Sequence, residues 1–280
     1  MRLPFMQLDV FAPSRFSGNP LAVVFDADAL DAEAMQRVAA WLGLSETSFV
    51  LRPARPQADY RVRIFTPGAE LPFAGHPTLG SCAAWQARGG RARDARRIVQ
   101  ESAVGLVALR HDGARLEFAA PELRRGDVEP ELLARVGAAL GLRALPRAAS
   151  WLDNGPRWLA LWLDDAATVL ALRPDHAALR ALGVKVGVAA PQPAGADSAI
   201  EVRAFAAAVG VDEDPVTGSL QASLAQWLFA RGAFGDASGY VAAQGACRGR
   251  AGRVHARRDA DAQVWIGGDV RVVVDGAIEI

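Results

Sequence analysis

The sequence predicts an α/β chain made of two similar halves that face each other. The main observation is an internal repeat, because residues 62 to 88 and residues 202 to 231 share one order of features. Each begins with a short apolar strand opening in Val-Arg-x-Phe, continues through a glycine-containing loop and ends in an apolar helix. The length of 280 residues also suits two units of about 120 to 150 residues each. Such a repeat predicts a duplicated unit with the functional site between its copies.

The two repeats share the pattern x-(His or Asp)-Pro-x-x-Gly-Ser before the helix. Aligning Pro77 with Pro215 makes His76 equivalent to Asp214. The same alignment pairs Gly80 with Gly218 and Ser81 with Ser219. Proline is favoured in the first turn of a helix, since its missing N–H would lack a partner there anyway. The two prolines are therefore predicted to mark helix starts.

Two helix starts that converge on one cleft would form an anion site. Their free N–H groups and dipoles can hold a carboxylate without a metal or an arginine. His76 and Asp214 would then stand at the two mouths of this site. The alternative is structural, because aspartate is a common helix cap and a lone histidine usually packs in a core.

Composition narrows the function classes. The chain is 51% hydrophobic and 22% charged, with 31 basic and 31 acidic side chains. A net charge of zero offers no field to attract phosphate backbones, so nucleic acid is not an expected partner. The two cysteines, Cys82 and Cys247, are far apart and have no second ligand at zinc spacing. No metal site and no disulfide framework are expected.

The termini and hydropathy favour a soluble protein. The amino-terminal segment has no apolar run long enough for a signal peptide. Nowhere do roughly 18 uncharged apolar residues follow one another, so no membrane span is expected. We therefore expect a cytoplasmic protein that does not bind membranes.

In the first half, alternation predicts a strand over residues 5 to 11, and residues 17 to 25 read as a turn followed by a buried strand. Helical spacing predicts a helix over residues 28 to 42, which Gly43 ends. Strands at 48 to 51 and 58 to 66 lead to the first repeat helix. Residues 97 to 119 are predicted to form two strands of a hairpin around His111-Asp112-Gly113, since Asp-Gly is a strong hairpin signal.

The chain becomes polar between Pro121 and Pro130, which predicts halves of residues 1 to 121 and 122 to 280. The helix predicted at 131 to 142 is interpreted as the counterpart of the helix at 28 to 42. The turn Asn154-Gly155-Pro156 precedes a strand, as Gly18-Asn19-Pro20 does in the first half.

The remaining elements of the second half are predicted from the same kinds of sequence pattern. A short helix at 174 to 183 and a strand at 184 to 191 lead to the second repeat. Residues 239 to 280 contain at least three strands, and the last two segments flank an Asp275-Gly276 turn. The closing strand, at about 270 to 280, could return to the first half.

Two further polar positions have open interpretations. Asn19 at the apex of its turn is explained by positive backbone angles alone, although its side chain could also line a site. Ser45-Glu46-Thr47 forms a polar island at the edge of a buried strand. Its carboxylate either caps local N–H groups or faces a cleft.

Several separated blocks resemble the phenazine-biosynthesis PhzF-like family. They are GNPLAVV at 18 to 24, LSETSFV at 44 to 50, FAGHPTLG at 73 to 80, DEDPVTGS at 212 to 219, the Gln244-Gly245 step and the closing IGGDVRVVVDG at 266 to 276. The resemblance spans residues 6 to 280. It implies the diaminopimelate-epimerase fold, a mixed α/β (α+β) architecture of two pseudo-symmetric halves. Each half is expected to be a curled, mostly antiparallel sheet around a central helix. Members of the fold usually form twofold homodimers, so a homodimer is implied.

The resemblance also implies an activity and a set of site residues. Characterised members carry out a cofactor-independent isomerisation, in which a glutamate moves a proton between two carbons of a dihydro-hydroxyanthranilate ring. That glutamate falls on Glu46, with His76 and Asp214 as the other catalytic residues. The implied substrate-binding residues are Asn19, Ser45, Gly75, Gly218 and Ser219. The expected partner is a small carboxylate substrate, with no cofactor and no metal.

Three hypotheses remain from the sequence. The leading one is a cofactor-independent isomerase that uses Glu46 as acid and base on a dihydro-hydroxyanthranilate-like or amino-acid-like carboxylate. The second is a non-catalytic carboxylate-binding homologue. The third is an epimerase or dehydratase of the same fold, against which the absence of a cysteine pair at the matching motif positions speaks. The identity of the substrate stays open.

Overall fold

The computed structural model describes residues Met1 to Ile280 and contains eighteen strands and six α-helices. The strands are β1 (Arg2–Val10), β2 (Asn19–Val24), β3 (Thr47–Leu51), β4 (Tyr60–Phe65), β5 (Glu70–Leu71), β6 (Ile98–Ser102), β7 (Gly105–Asp112), β8 (Arg115–Ala119), β9 (Arg124–Gly126), β10 (Ala148–Asp153), β11 (Arg157–Trp162), β12 (Val186–Pro191), β13 (Ile200–Ala206), β14 (Val211–Asp214), β15 (Gly239–Gln244), β16 (Gly252–Arg258), β17 (Val264–Gly268) and β18 (Val270–Glu279). The helices are α1 (Ala32–Leu42), α2 (Gly75–Ala87), α3 (Pro130–Leu140), α4 (Ala166–Ala171), α5 (His176–Leu182) and α6 (Gly218–Ala230). All strands belong to one hydrogen-bonded network.

The order of strand pairings is the same in the two halves. In the first half, β1–β2 is antiparallel, β2–β3 parallel, β3–β4 antiparallel, β4–β6 parallel, and β6–β7 and β7–β8 antiparallel. In the second half, β10–β11, β11–β12, β12–β13, β13–β15, β15–β16 and β16–β17 repeat this series. The pseudo-symmetric architecture expected from the sequence is therefore confirmed.

Strands also pair across the two halves. β18 runs antiparallel along β1, and β17 pairs with β8. The predicted Asp275-Gly276 turn is wrong, because these two residues lie inside β18 opposite Met6 and Phe5. Ladder hydrogen bonds along this ten-residue strand outweigh the local turn preference of Asp-Gly. The boundary at residue 121 stays a prediction.

The segment from 97 to 119 contains three strands rather than the two that were predicted. β6 ends at Ser102, and β7 begins at Gly105, whose φ of +118° requires glycine. The second turn, between β7 and β8, lies where Asp112-Gly113 predicted it. An apolar run predicts extended structure but does not show where a tight turn divides it.

The predicted equivalence between the helix at 131 to 142 and the helix at 28 to 42 is also wrong. α1 connects β2 to β3, whereas the matching connection from β11 to β12 contains α4 and α5. α3 precedes β10 and so has no counterpart in the first half. Helical spacing identifies a helix, but it does not reveal which strands the helix connects.

α2 and α6 are the central helices of the two halves. Nine of the thirteen residues of α2 and eleven of the thirteen of α6 are buried, as expected of helices enclosed by sheet on several sides. A main core of 44 buried residues includes side chains from both halves, so one hydrophobic core joins them. No helix of this structure has the length and apolar character needed to cross a bilayer.

Candidate active site

The amino ends of α2 and α6 touch each other through two glycines. A Cβ placed on Gly75 would lie 2.4 Å from the carbonyl carbon of Gly218, and one placed on Gly218 would lie 2.8 Å from that of Gly75. Only glycine permits this approach at both positions. Neither cap residue, Ala74 nor Thr217, caps its helix with its side chain. The first N–H groups of both helices therefore meet at one point and are available to an anion.

The contact corrects the predicted alignment of the repeats. α6 begins at Gly218 rather than at Pro215, which lies outside the helix. Thr217 is extended, with φ −112° and ψ 90°, so α6 cannot extend back past this residue. Gly75 is therefore the structural counterpart of Gly218, and His76 is the counterpart of Ser219 rather than of Asp214. Pro77 does lie in the first turn of α2, as predicted.

Asn19 joins the two halves at this point. It is the first residue of β2, and its side chain is fully buried. Its Nδ2 donates to the Asp214 Oδ1 and to the Val216 carbonyl, both at 2.9 Å, and lies 3.3 Å from the His76 Nδ1. The Asn19 side chain therefore holds Asp214 and the loop before α6 in place. The turn conformation alone did not predict this role.

Asp214 ends β14 and does not cap α6. Its Oδ2 accepts a hydrogen bond of 2.6 Å from the Thr217 hydroxyl, while its Oδ1 binds Asn19. Burial raises the pKa of the Asp214 carboxyl, and hydrogen bonds from Thr217, Ser45 and Asn19 oppose this rise. The arrangement holds the carboxyl group rigidly in the cleft.

Glu46 and His76 form a buried acid–imidazole pair. The Glu46 Oε2 lies 3.5 Å from the His76 Nδ1, and the two side chains are 14% and 2% exposed. Burial raises the pKa of Glu46 well above its usual value, and the Asp214 charge raises it further, while Lys185 opposes both effects. Burial lowers the pKa of His76 to about 3, against the effect of the Pro20 carbonyl. His76 therefore favours its neutral form near pH 7, and Glu46 is more readily protonated than an ordinary glutamate.

A narrow cavity lies beside these groups. Its volume is about 40 Å³, and it is lined by Ser45, Glu46, Thr66, Leu71, Ala74, Pro156, Trp158, Lys185, Ala206, Val209, Val211, Asp214, Thr217 and Ser219. This is room for about three water molecules. Pockets that hold drug-sized ligands measure roughly 300 to 1,000 Å³, so a ring could enter only if the walls separate.

The structure brings all eight predicted site residues together. Ser45, Glu46, Asp214 and Ser219 line the cavity. The other four contact these lining residues or each other: Asn19, Gly75, His76 and Gly218. Neither cysteine lines the cavity, since Cys82 is buried within α2 and Cys247 is exposed.

Sequence reasoning missed several groups around the site. Trp158 donates from Nε1 to the Ser219 hydroxyl at 3.3 Å, and no motif indicated this. Gln244 was noted only as part of a resembling block and was assigned no role, yet its Oε1 accepts from the Thr217 N–H and its Nε2 donates to the Asp214 carbonyl. Lys185 also lines the cavity. A signal for Lys185 was available, because it is the single lysine of the chain.

A second, more open cleft of about 880 Å³ lies elsewhere, between the hairpin strands and the loop around Asn154. It contains none of the eight predicted site residues. One of the four arginines that line it, Arg110, is already paired with Asp259 and Glu117. The chemistry therefore points to the narrow cavity rather than to this cleft.

Comparison with known proteins finds relatives along almost the whole chain. The model of the family described as Phenazine biosynthesis-like protein matches residues 8 to 276. A trans-2,3-dihydro-3-hydroxyanthranilate isomerase from Pseudomonas aeruginosa is 38% identical over 262 residues, covering 91% of this chain and 90% of the relative. A protein from Schizosaccharomyces pombe named Antisense-enhancing sequence 1 is 40% identical over 227 residues, covering 77% of this chain and 76% of the relative.

Among solved structures, a predicted epimerase from Pseudomonas aeruginosa matches with a TM-score of 0.81 at 30% identity and covers 99% of both chains. Structural neighbours of this kind have the diaminopimelate-epimerase-like fold, so the expected fold is confirmed. Several relatives are named isomerases, which supports an isomerase activity for this chain.

Proposed function

The chain belongs to the phenazine-biosynthesis-like protein family, and from this premise we propose that it is a cofactor-independent isomerase acting in the cavity between its halves. It would move a proton between two carbons of a small carboxylate, either dihydro-hydroxyanthranilate-like or amino-acid-like. The observation that carries the proposal is the buried Glu46–His76 pair beside the joined amino ends of α2 and α6.

The helix ends would bind the substrate carboxylate. The N–H groups of the first residues of both helices lie at the Gly75–Gly218 contact and carry partial positive charge. When a carbon next to the carboxylate loses a proton, negative charge spreads onto the carboxylate oxygens. Preorganised N–H donors stabilise that charge, and this is the type of contribution that dominates many enzymatic rate enhancements.

Glu46 would transfer the proton. A raised pKa makes its carboxylate a stronger base towards a carbon acid, while the neutral acid remains available to return the proton. The neutral His76 can accept a hydrogen bond from the protonated carboxyl and so orient it. Asp214, fixed by Asn19 and Thr217, would bind a polar substituent of the substrate.

The test is deuterium exchange from D₂O into trans-2,3-dihydro-3-hydroxyanthranilate, followed by NMR and mass spectrometry. We expect Glu46→Gln to reduce exchange and product formation at least about 100-fold, because a positioned acid–base group contributes that much. The control is Glu122→Gln, the same change at an exposed glutamate outside the cavity. Unchanged exchange in Glu46→Gln, at an unchanged melting temperature, would remove Glu46 from the mechanism.

A non-catalytic carboxylate-binding role is the second candidate. It is favoured by the size of the cavity, since about 40 Å³ accommodates a small carboxylate more easily than a ring. This role predicts that small carboxylates raise the melting temperature and that Asp214→Asn and Ser219→Ala remove the effect. No turnover would then be found with any cyclic or amino-acid-like substrate.

A further inference from the structure

Lys185 is the only lysine among the 31 basic side chains of the chain, and it lies in the candidate active site. It follows α5, which ends at Leu182 and is capped by Gly183, and immediately precedes β12. All other basic side chains are arginines, and none of them lines the cavity. The cavity therefore has one cationic side chain, and it is a compact ammonium rather than a planar guanidinium.

The ammonium has no ionic partner. No carboxylate oxygen lies within the 4.0 Å that defines an ion pair. Burial lowers the pKa of Lys185, while the more distant charges of Glu46 and Asp153 oppose this. A partly buried ammonium without a partner is unfavourable, and an anionic ligand group would relieve that cost.

Trp158 sets the position of the ammonium relative to the helix ends. Its Nε1 donates to the Ser219 hydroxyl in the first turn of α6, at 3.3 Å. The Lys185 Nζ lies 5.0 Å from the centroid of the indole ring. One residue thus contacts both the first turn of α6 and the Lys185 ammonium.

The charges around the cavity favour an anion there as well. Its two carboxyl groups, Glu46 and Asp214, both have raised pKa values and so are more readily protonated than usual. The helix ends contribute partial positive charge, and the Lys185 ammonium beside the Trp158 ring contributes a second positive position. Two separated positive positions suit a ligand with two anionic groups better than a ligand with one.

We propose that Lys185 is a specificity-determining residue that binds a second anionic oxygen group of the substrate. The inference rests on the proposed function for the first carboxylate, which the helix ends hold. The substrate class is then a carboxylate with a second carboxylate or oxyanion several ångströms away. An amino-acid-like substrate would be a dicarboxylate rather than a simple apolar amino acid.

The experiment measures binding rather than turnover, with the full-length chain at pH 7.5. Isothermal titration calorimetry compares succinate with butyrate, and glutarate with valerate, because each pair has equal chain length and differs in one carboxylate. We expect the wild-type chain to bind the dicarboxylate about 10-fold more tightly, as one charge-assisted contact would give. In Lys185→Met the preference should disappear while monocarboxylate affinity is retained. Lys185→Arg should keep part of the preference.

The matched control is Arg143→Met, which removes one positive charge at an exposed position outside the cavity and should keep the full preference. A second readout uses the single lysine directly. Acetylation of Lys185 by acetic anhydride, followed by peptide mass mapping, should be slowed by succinate but not by butyrate. Melting temperatures show whether the Lys185→Met variant is folded. If the variant is unfolded, the acetylation experiment on the wild-type chain still tests the proposal.

The possible failures are distinct. If Lys185→Met keeps the dicarboxylate preference, or if the wild-type chain binds both members of each pair equally, Lys185 has no such role and the helix-end site stands. If Lys185→Met weakens both ligands equally, the lysine acts only through its general field and the proposal is wrong. If neither ligand binds the wild-type chain, the helix-end carboxylate site of the proposed function is wrong, and this inference is wrong with it.

Discussion

The amino ends of α2 and α6 have the same frame but carry different side chains. At each end a glycine, Gly75 or Gly218, lets the two backbones touch. The next residue is His76 in α2 and Ser219 in α6. The first-half side thus presents an imidazole paired with Glu46, whereas the second-half side presents a hydroxyl held by an indole. A duplicated scaffold can therefore divide the work, with proton transfer on one side and ligand binding on the other.

The side-chain hydrogen bonds that support the two helix ends also share a frame and differ in their partners. The Gln100 Nε2 donates to the Thr78 hydroxyl, and the Gln221 Nε2 donates to the Gln244 Oε1, at 3.1 and 3.0 Å. Thr78 and Gln221 are each the fourth residue of their helix. The first network continues through Tyr60 into the core, whereas the second reaches the cap residue of α6 and Asp214. Only the second network is connected directly to a predicted site residue.

The largest effect is expected from breaking the contact between the ends. In Gly75→Ala the new Cβ would lie 2.4 to 2.7 Å from the backbone of Gly218 and Ser219, which cannot move aside without shifting α6. We expect the free energy of unfolding to fall by about 3 kcal/mol or more, with loss of activity. Urea unfolding and the exchange assay measure both effects.

Gly68→Ala is the control for this prediction, because a Cβ there would meet nothing within 4 Å. It should leave both quantities unchanged. A Gly75→Ala protein with wild-type stability would show that the ends do not touch in solution.

The imidazole in α2 is expected to make stability pH-dependent. The pKa of His76 is about 3 in the folded chain and 6.5 in an unperturbed histidine. Between these values the unfolded chain binds a proton that the folded chain does not, so stability rises with pH and is lost as the pH falls from 6.5 towards 3. The slope contributed by this group is at most about 1.4 kcal/mol per pH unit.

Glu46 and Asp214 act in the opposite direction, since their pKa values are raised. The contribution of His76 is therefore the difference between wild type and His76→Gln, measured by urea unfolding from pH 4 to pH 7. That difference should grow as the pH rises. His111→Gln, at an exposed histidine, should follow the wild type. A constant difference for His76→Gln would mean that the imidazole is hydrated in the folded chain.

The sequence predicted the duplication and which residues lie close together at the cavity. It did not predict which residues of the two halves are equivalent. Val-Arg-x-Phe and the two Gly-Ser segments identified the repeated unit, because strand period and helix period are local properties. Aligning Pro77 with Pro215 misplaced the equivalent residues of the two helices, because the two prolines occupy different positions relative to the helix starts. Pro77 lies inside α2, while Pro215 lies in the loop before α6. Whether a proline falls inside or outside a first turn depends on tertiary contacts such as the one from Asn19 to the Val216 carbonyl.

Trp158, Lys185 and Gln244 were missed for a related reason. Trp158 and Gln244 lie far along the chain from Ser219 and Asp214, which they hydrogen-bond, and no local pattern marks a long-range hydrogen bond. Lys185 contacts the ring of Trp158 rather than a motif residue, so no motif indicated it either. Gln244, for example, precedes a glycine, which indicates a turn with or without a buried role. The family resemblance indicated Glu46, which residue patterns alone left undecided between a cap and a cleft residue.

The two glutamine networks provide a test of the asymmetry. Gln244→Ala leaves the Thr217 N–H and the Asp214 carbonyl without these partners, and Gln100→Ala removes the donor to the Thr78 hydroxyl and the acceptor of the Tyr60 hydroxyl. Each should reduce the free energy of unfolding by about 2 kcal/mol. Only Gln244→Ala should also lower kcat, because only that network holds Asp214. Equal losses of kcat in the two variants would contradict the division of roles between the halves.

The smallest effect is expected at Trp158. Trp158→Phe keeps an aromatic ring beside Lys185 but removes the hydrogen bond from Nε1 to the Ser219 hydroxyl. The free energy of unfolding should fall by about 1 kcal/mol, and a monocarboxylate should bind almost as well, since the helix N–H groups are unchanged. Trp41→Phe, at a side chain that is 81% exposed, is the control and should change neither quantity. If Trp158→Phe abolished binding, the serine hydroxyl and its indole donor would be the main ligand groups of the second half. The backbone N–H groups of α6 would then be secondary, and the similarity between the two helix ends would not extend to how they bind the carboxylate.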